Sequence, residues 1–182
     1  MNCFQQIKYK IWIFLLTKRN IILNYNKPVN WNTKINTSNK FLICMPSNKA
    51  EINIVNQFLN DIILKQNQTI DIIFADKFQE NFKQFNYYNK KYLYPKVKNI
   101  NHFPIKKVIT SNIDNKYDVT IDLNMGINIL SNYIAATKAK NISVGFNNKF
   151  SKDFLTTTVI LNSQSGYSNS IKTIFKLVEI IN

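Results

Sequence analysis

Cysteine is scarce in this chain. Cys3 near the start and Cys44 inside an apolar run are the two present, which leaves no disulfide framework and no Cys-x-x-Cys or Cys/His metal knuckle. Histidine is scarcer still: His102 stands alone, so a catalytic triad and a histidine-ligated zinc both lack their parts, and His102 itself reads as a solvent-facing loop residue. Arginine is limited to Arg19, whereas phosphate and rRNA sites lean on arginine for bidentate contacts. Also missing is an apolar run that reaches the roughly 20 residues a membrane span requires. The stretch Ile11 to Leu16 stops well short of that and is not followed by the small residues of a secretory cleavage site. No metal and no cofactor is expected, and Cys44 reads as a small core residue.

What is present is enough to fold. Hydrophobic residues make up 45% and aromatics 13% of 182 residues, the size of one ordinary domain with a real core. The formal charge of +14 has two readings. Clustered cations suit a polyanion such as nucleic acid or an anionic membrane, while the joint excess of lysine, asparagine and isoleucine is what an A- and T-rich genome encodes.

The first 39 residues read as an amphipathic helix and a polar linker. Phe4, Ile7, Ile11, Phe14 and Leu15 follow helical spacing, with Lys8, Lys10, Lys18 and Arg19 around them. Packing on the domain is the expected role of this helix, with a membrane-surface contact through residues 4–16 or organelle targeting as alternatives. Residues 24–39 are polar and turn-prone, and Pro28 blocks a continuing helix.

From residue 40 to 182 the sequence predicts one Rossmann-like α/β domain: three layers, with a mainly parallel sheet. Phe41 to Met45 is a short apolar run of the kind buried on both faces. Ser47 offers a cap, and Ile54, Val55, Phe58, Leu59, Ile62 and Ile63 form a helical stripe. Thr69 to Ala75 is a second strand, followed by a short helix bearing Phe78, Phe82 and Phe85. Residues 86–101 are aromatic and basic without clear period and read as a connection, and Lys107 to Thr110 reads as a small strand. Tyr117 to Asn124 is a buried strand, Gly126 turns the chain into a helix carrying Ile129, Leu130, Tyr133, Ile134 and Thr137, and Asn141 to Phe146 returns as a strand. That is a right-handed βαβ unit. Ligands of such sheets gather at the carboxyl ends of the strands, which selects the loops 46–51 and 124–126 and, in them, Ser47, Asn48, Lys49, Asn124 and Gly126.

The runs Tyr117-Asp-Val-Thr-Ile-Asp-Leu-Asn124, Ser131-Asn-Tyr-Ile-Ala-Ala136 and Ala139-Lys-Asn-Ile-Ser-Val-Gly-Phe146 resemble the N-terminal half of heptosyltransferase-like proteins, glycosyltransferase family 9. Lys40 to Ser47 and Ile70 to Phe74 fall where that family has its first two strands, so the likeness spans roughly residues 40–160. The resemblance implies two Rossmann-like halves in the full enzyme, the first contacting the acceptor sugar and the second the nucleotide-sugar donor. It also implies a general base soon after the first strand, in a Ser-x-x-Gly-Asp context. The matching stretch here is Ser47-Asn-Lys-Ala-Glu51, with alanine for the glycine and Glu51 as the candidate base; the plainer role for Glu51 is a helix-start carboxylate facing the macrodipole. The expectation is an acceptor-half domain without transferase activity alone, a scaffold or binding module in the cytoplasm, peripheral to a membrane or not. Its partners would be a second protein or large assembly and a saccharide or lipid-linked saccharide.

A second likeness belongs to another class. Asn162 to Ile174, with its Ser170-Ile171-Lys172 run, is similar to the end of the small-subunit ribosomal protein numbered two, another parallel α/β protein. In that reading the protein is organellar, mitochondrial for instance, and contacts rRNA. Tyr88, Lys90, Lys91, Tyr92, Lys96 and Lys98 would then supply stacking rings and backbone-following cations.

Overall fold

The computed structural model describes residues 3–18, 30–60, 62, 64, 67–82, 88–94, 113, 116–126, 128–161 and 166–179. Its apolar runs become strands because each has an apolar residue to offer on both sides: in β1, Lys40–Cys44, every residue after Lys40 is buried. The same holds for β2 (Thr69–Phe74), for β4 (Tyr117–Asp122) apart from the half-buried Asp118, and largely for β5 (Ala139–Phe146). With the edge strands β3 (Lys90–Leu93) and β6 (Thr157–Val159) they form one sheet in the order β3-β2-β1-β4-β5-β6. All five pairings are parallel, with Phe41 opposite Ile70 and Val119, and Val119 opposite Ile142. This is the doubly wound order of a Rossmann-like domain.

Helices cover both faces. Phe41, Ile43, Ile72, Val119, Ile121 and Val144 point to one side. There they meet Ile52, Val55 and Leu59 of α3 (Lys49–Asn60) and Ile171, Ile174 and Phe175 of α5 (Gly166–Leu177). Leu42, Cys44, Ile73 and Tyr117 point to the other, against Tyr133 to Ala136 of α4 (Ile129–Lys138) and Tyr9 of α1 (Cys3–Lys18). Each of these large side chains, fully removed from water, contributes about 1.5–3 kcal/mol. The sheet is therefore a middle layer of a three-layer sandwich, as its apolar runs predict.

Several local features depart from the sequence reading, among them the end of α3 at Asn60, which leaves Ile62 of the expected stripe beyond the helix, and the unforeseen strand β6. The segment read as linker contains a short helix, α2 (Trp31–Asn36), capped by the Asn30 side chain, and its Ile35 joins the core ahead of β1. The aromatic and basic stretch read as a connection contains β3. Lysines at 90 and 91 hide that strand from a search for apolar runs, but an edge strand exposes one side and tolerates them. The helix after β2 is a 3₁₀ turn, Asp76–Phe82, that buries Phe78 and Phe82. The cap of α3 is Asn48 rather than Ser47: its carbonyl accepts from Ile52 N at 3.0 Å and its side chain from Ala50 N at 2.9 Å. The strand expected at 107–110 lies outside the described residues, as do Phe85, Lys96 and Lys98.

Candidate functional site at the mouth of β1 and β4

Successive connections leave β1 toward β2 and β3 and leave β4 toward β5 and β6, so the strand order reverses between β1 and β4. At such a reversal the loops beyond the two carboxyl ends diverge and open a crevice. The ladder continues one residue past each strand, Met45 N donating to Ile73 O at 2.8 Å and Leu123 N to Cys44 O at 3.0 Å. Beyond it the chain departs through Pro46 to Asn48 into α3, and through Asn124 to Asn128 into α4. Asn128 caps α4 by accepting from Ser131 N at 3.0 Å.

Under the mouth, on the α4 side, sits a buried polar cage. Strand alternation turns Asp122 inward beside Cys44, its register partner. One carboxylate oxygen accepts from Ser131 Oγ at 2.7 Å, Asn124 Nδ2 at 2.8 Å and Asn124 N at 3.1 Å; the other accepts from Asn132 Nδ2. Tyr94, just past β3, closes the cage by donating to Ser131 Oγ at 3.1 Å, while Asn124 also reaches Met45 O at 3.3 Å. The four donors to Asp122 are neutral. Burial raises its carboxyl above the usual range, and the hydrogen bonds only partly offset that rise. Burial, then the nearby Asp122 charge, pushes the Cys44 thiol well up, and burial does the same to the Tyr94 phenol. A thiol held protonated is not a nucleophile, so Cys44 is a core residue, as its position in an apolar run implies. Asn132 Oδ1 is buried without a hydrogen-bond partner.

Across the sheet, the other wall of the mouth comes from the first turns of α3 and α5. Gly166 opens α5 with φ +68°, a conformation that favours glycine, and places Tyr167 over the end of β4. The Tyr167 hydroxyl donates to Leu123 O at 2.7 Å and its ring packs on Phe146 at 5.5 Å. Burial lifts this phenol far above its ordinary value, followed by the charges of Glu51 and Asp122. Glu51 is half-buried in the first turn of α3, and burial raises its carboxyl. A raised carboxyl is a better proton acceptor once ionised than an exposed one.

The loop residues selected from sequence thus line the mouth unevenly. Ser47, Asn48 and Lys49 are exposed at its rim, Gly126 is exposed at the bend, and Asn124 is buried in the cage. Lys49 also borders a cavity of about 420 Å³ along α3 and the 3₁₀ turn, lined by the carboxamides of Asn53, Asn56, Gln57, Asn60 and Asn81 together with Glu80. The residues proposed to contact nucleic acid are placed differently. The Lys91 ammonium lies 4.7 Å over the Tyr88 ring and donates to Phe82 O at 2.9 Å; Tyr92 and Tyr94 pack toward the core. Sequence reasoning passed over Asp122, Ser131, Asn132 and Tyr167, and read Tyr94 only as part of the aromatic and basic stretch 86–101. A carboxylate at an inward position of an apolar strand was the available signal, because such a group demands buried donors.

Among the described residues no group of acidic, cysteine or histidine side chains is arranged to hold a metal, and no helix is long and apolar enough to cross a membrane. Comparison with protein-family models, with curated proteins and with solved structures finds no match to this chain.

Proposed function

We propose that this protein is a glycosyltransferase-like, heptosyltransferase-type acceptor-half domain that binds a saccharide or lipid-linked saccharide and has no transferase activity on its own. The observation that carries the reading is the row of carboxamides of Asn53, Asn56, Gln57, Asn60 and Asn81, which with Lys49 and Glu80 lines a cavity that runs along α3 from its first turn, the turn that borders the mouth. Sugar hydroxyls are neutral donors and acceptors in close pairs, and planar amides match both roles without the desolvation cost of charges. Glu51 stands where the family likeness implies a base, and its environment favours the protonated form more than an exposed carboxylate would. A fold by itself assigns no chemistry, so the reading stands or falls on the site.

The test is titration of the isotope-labelled protein with lipid-linked and free saccharides, followed by amide resonances, alongside an assay for turnover of an activated sugar. Shifts confined to residues 47–60 and 124–126, weakened by Asn53→Ala and Gln57→Ala, with no turnover, are expected. Turnover by the purified protein alone would show that the domain is a complete enzyme. Absence of any saccharide shift, together with rRNA binding that weakens steeply in salt, would replace this reading with the ribosomal one. The placement of Tyr88, Tyr92 and Tyr94 argues for the saccharide: their rings are engaged by Lys91 or by the core and are not splayed for base stacking.

A further inference from the structure

The helix α1 docks by a different side from the one its spacing suggests. Tyr9 is buried against Phe150 and Phe154, with ring centroids 4.8 Å and 6.3 Å away, and its hydroxyl donates to Asp153 at 2.9 Å. Ile13, one turn on, packs beside it. At about 3.6 residues per turn, positions 7, 11, 14 and 15 then fall on the opposite side. They are exposed: Ile7 52%, Ile11 55%, Phe14 63% and Leu15 40%. Of the seven exposed large hydrophobic residues among those described, these four form one stripe, and the remaining three, Leu93, Ile160 and Leu177, lie outside α1.

The charges beside the stripe are mainly cationic, and the one carboxylate lining the adjoining groove, Asp153, accepts from the Tyr9 hydroxyl. The α1 segment, residues 3–18, carries three lysines and no acidic residue. Lys10 and Lys149 line the same groove as Phe14, and α1 positions 8 and 18 are also lysine. An apolar stripe flanked by cations is the pattern of a helix lying in a membrane interface, where the apolar face enters the acyl boundary and lysine stems reach back to the headgroups. The run is too short to span a bilayer. The clamp at Tyr9 keeps the stripe facing outward.

We infer that α1 is a membrane-surface anchor that seats the domain on an anionic bilayer through Ile7, Ile11, Phe14 and Leu15. Charge complementarity selects the occupant: a neutral apolar protein groove would make no use of the lysines, whereas anionic headgroups reward each cation near the surface. The anchor is independent of whichever ligand the mouth of the sheet takes.

The test is flotation of the full chain with vesicles of mixed phosphatidylglycerol and phosphatidylcholine, and with vesicles of phosphatidylcholine alone. Binding to the anionic vesicles is expected to exceed that to neutral ones by roughly tenfold or more, and to fall as salt is added. Ile7→Asp with Ile11→Asp should reduce it by a similar factor, with helix content and the unfolding transition unchanged. Should that pair unfold the helix, Lys10→Gln with Lys149→Gln leaves the stripe intact and should still cut the preference for anionic vesicles. Equal binding to both vesicles, no binding, or insensitivity to both pairs of substitutions overturns the proposal. So does a dimer in light scattering that Ile7→Asp with Ile11→Asp dissociates, since the occupant would then be a second copy.

Discussion

The Tyr117 hydroxyl donates to the Asp71 carboxylate at 2.7 Å inside the sheet, joining β4 to β2 across β1. The other Asp71 oxygen accepts from Lys90 N at 2.9 Å and Asn89 Nδ2 at 3.3 Å. One buried carboxylate therefore holds the start of β3 in register. Asp71→Ala removes three acceptor contacts and leaves the Tyr117 hydroxyl only the longer contact to the Tyr92 hydroxyl at 3.4 Å, at a cost of about 1–3 kcal/mol. Hydrogen exchange is the measurement: protection at Lys90 to Leu93 should fall first, and unchanged protection there would refute the register role.

Asp122 yields a pH prediction. Its folded-state carboxyl is raised above the unfolded value, so the stability it contributes is complete below the ordinary carboxylate range and declines as pH rises through the folded value. Asp122→Asn supplies a neutral side chain of the same shape, so the variant should lose that decline and stay close to the parent in stability at neutral pH. Asp122→Ala leaves the donors of Ser131, Asn124 and Asn132 unmatched and should cost about 2–4 kcal/mol. Denaturant unfolding across pH separates the cases. If Asp122→Asn is as damaging as Asp122→Ala, the carboxylate is ionised in the fold and its charge is required.

Gly145 of β5 lies opposite Asp122 of β4 in the ladder. A Cβ there would lie 2.7 Å from Asp122 O and 2.8 Å from Leu155 Cδ1. The leucine methyl ends a rotatable side chain, whereas the carbonyl is fixed in the ladder, so Gly145→Ala should destabilise by about 1–3 kcal/mol. A chemical denaturation midpoint equal to the parent's would mean that β5 shifts freely.

Tyr9 ties α1 to the segment after β5. Tyr9→Phe keeps the ring on Phe150 and loses the hydrogen bond to Asp153, a change of about 0.5–1.5 kcal/mol. Tyr9→Ala removes the anchor itself, and limited proteolysis should then cut within residues 3–18 while the sheet stays resistant. Equal resistance of α1 in both variants would show that its docking rests on other contacts.

The sheet was readable from the sequence where strands are buried on both faces. Phe41 to Met45, Ile70 to Phe74 and Val119 to Leu123 had no other use for such apolar runs, and α3, α4 and β5 followed from the spacing of their apolar residues. The edges were not readable. β3 presents Lys90 and Lys91 to water, and its place is decided by Asp71 on a neighbouring strand, a contact that no local pattern encodes. β6 has three half-buried residues, too few for alternation to register. α1 was readable as a helix, but it carries apolar residues on two sides, and spacing alone selected the wider stripe where the fold uses Tyr9. At the mouth, Asn124 was selected by the strand-end rule and Glu51 by the family likeness, whereas the Asp122 cage depends on Ser131 and Asn132 arriving from α4.

Lysines at 90 and 91 on one border of the sheet, and a mere three residues of β6 on the other, leave poor templates for a seventh strand from a neighbouring chain. Sideways growth into fibrils or edge-paired oligomers is thereby discouraged, even though the centre of the sheet is rich in isoleucine and phenylalanine. Copies at high local concentration would be hindered from joining edge to edge.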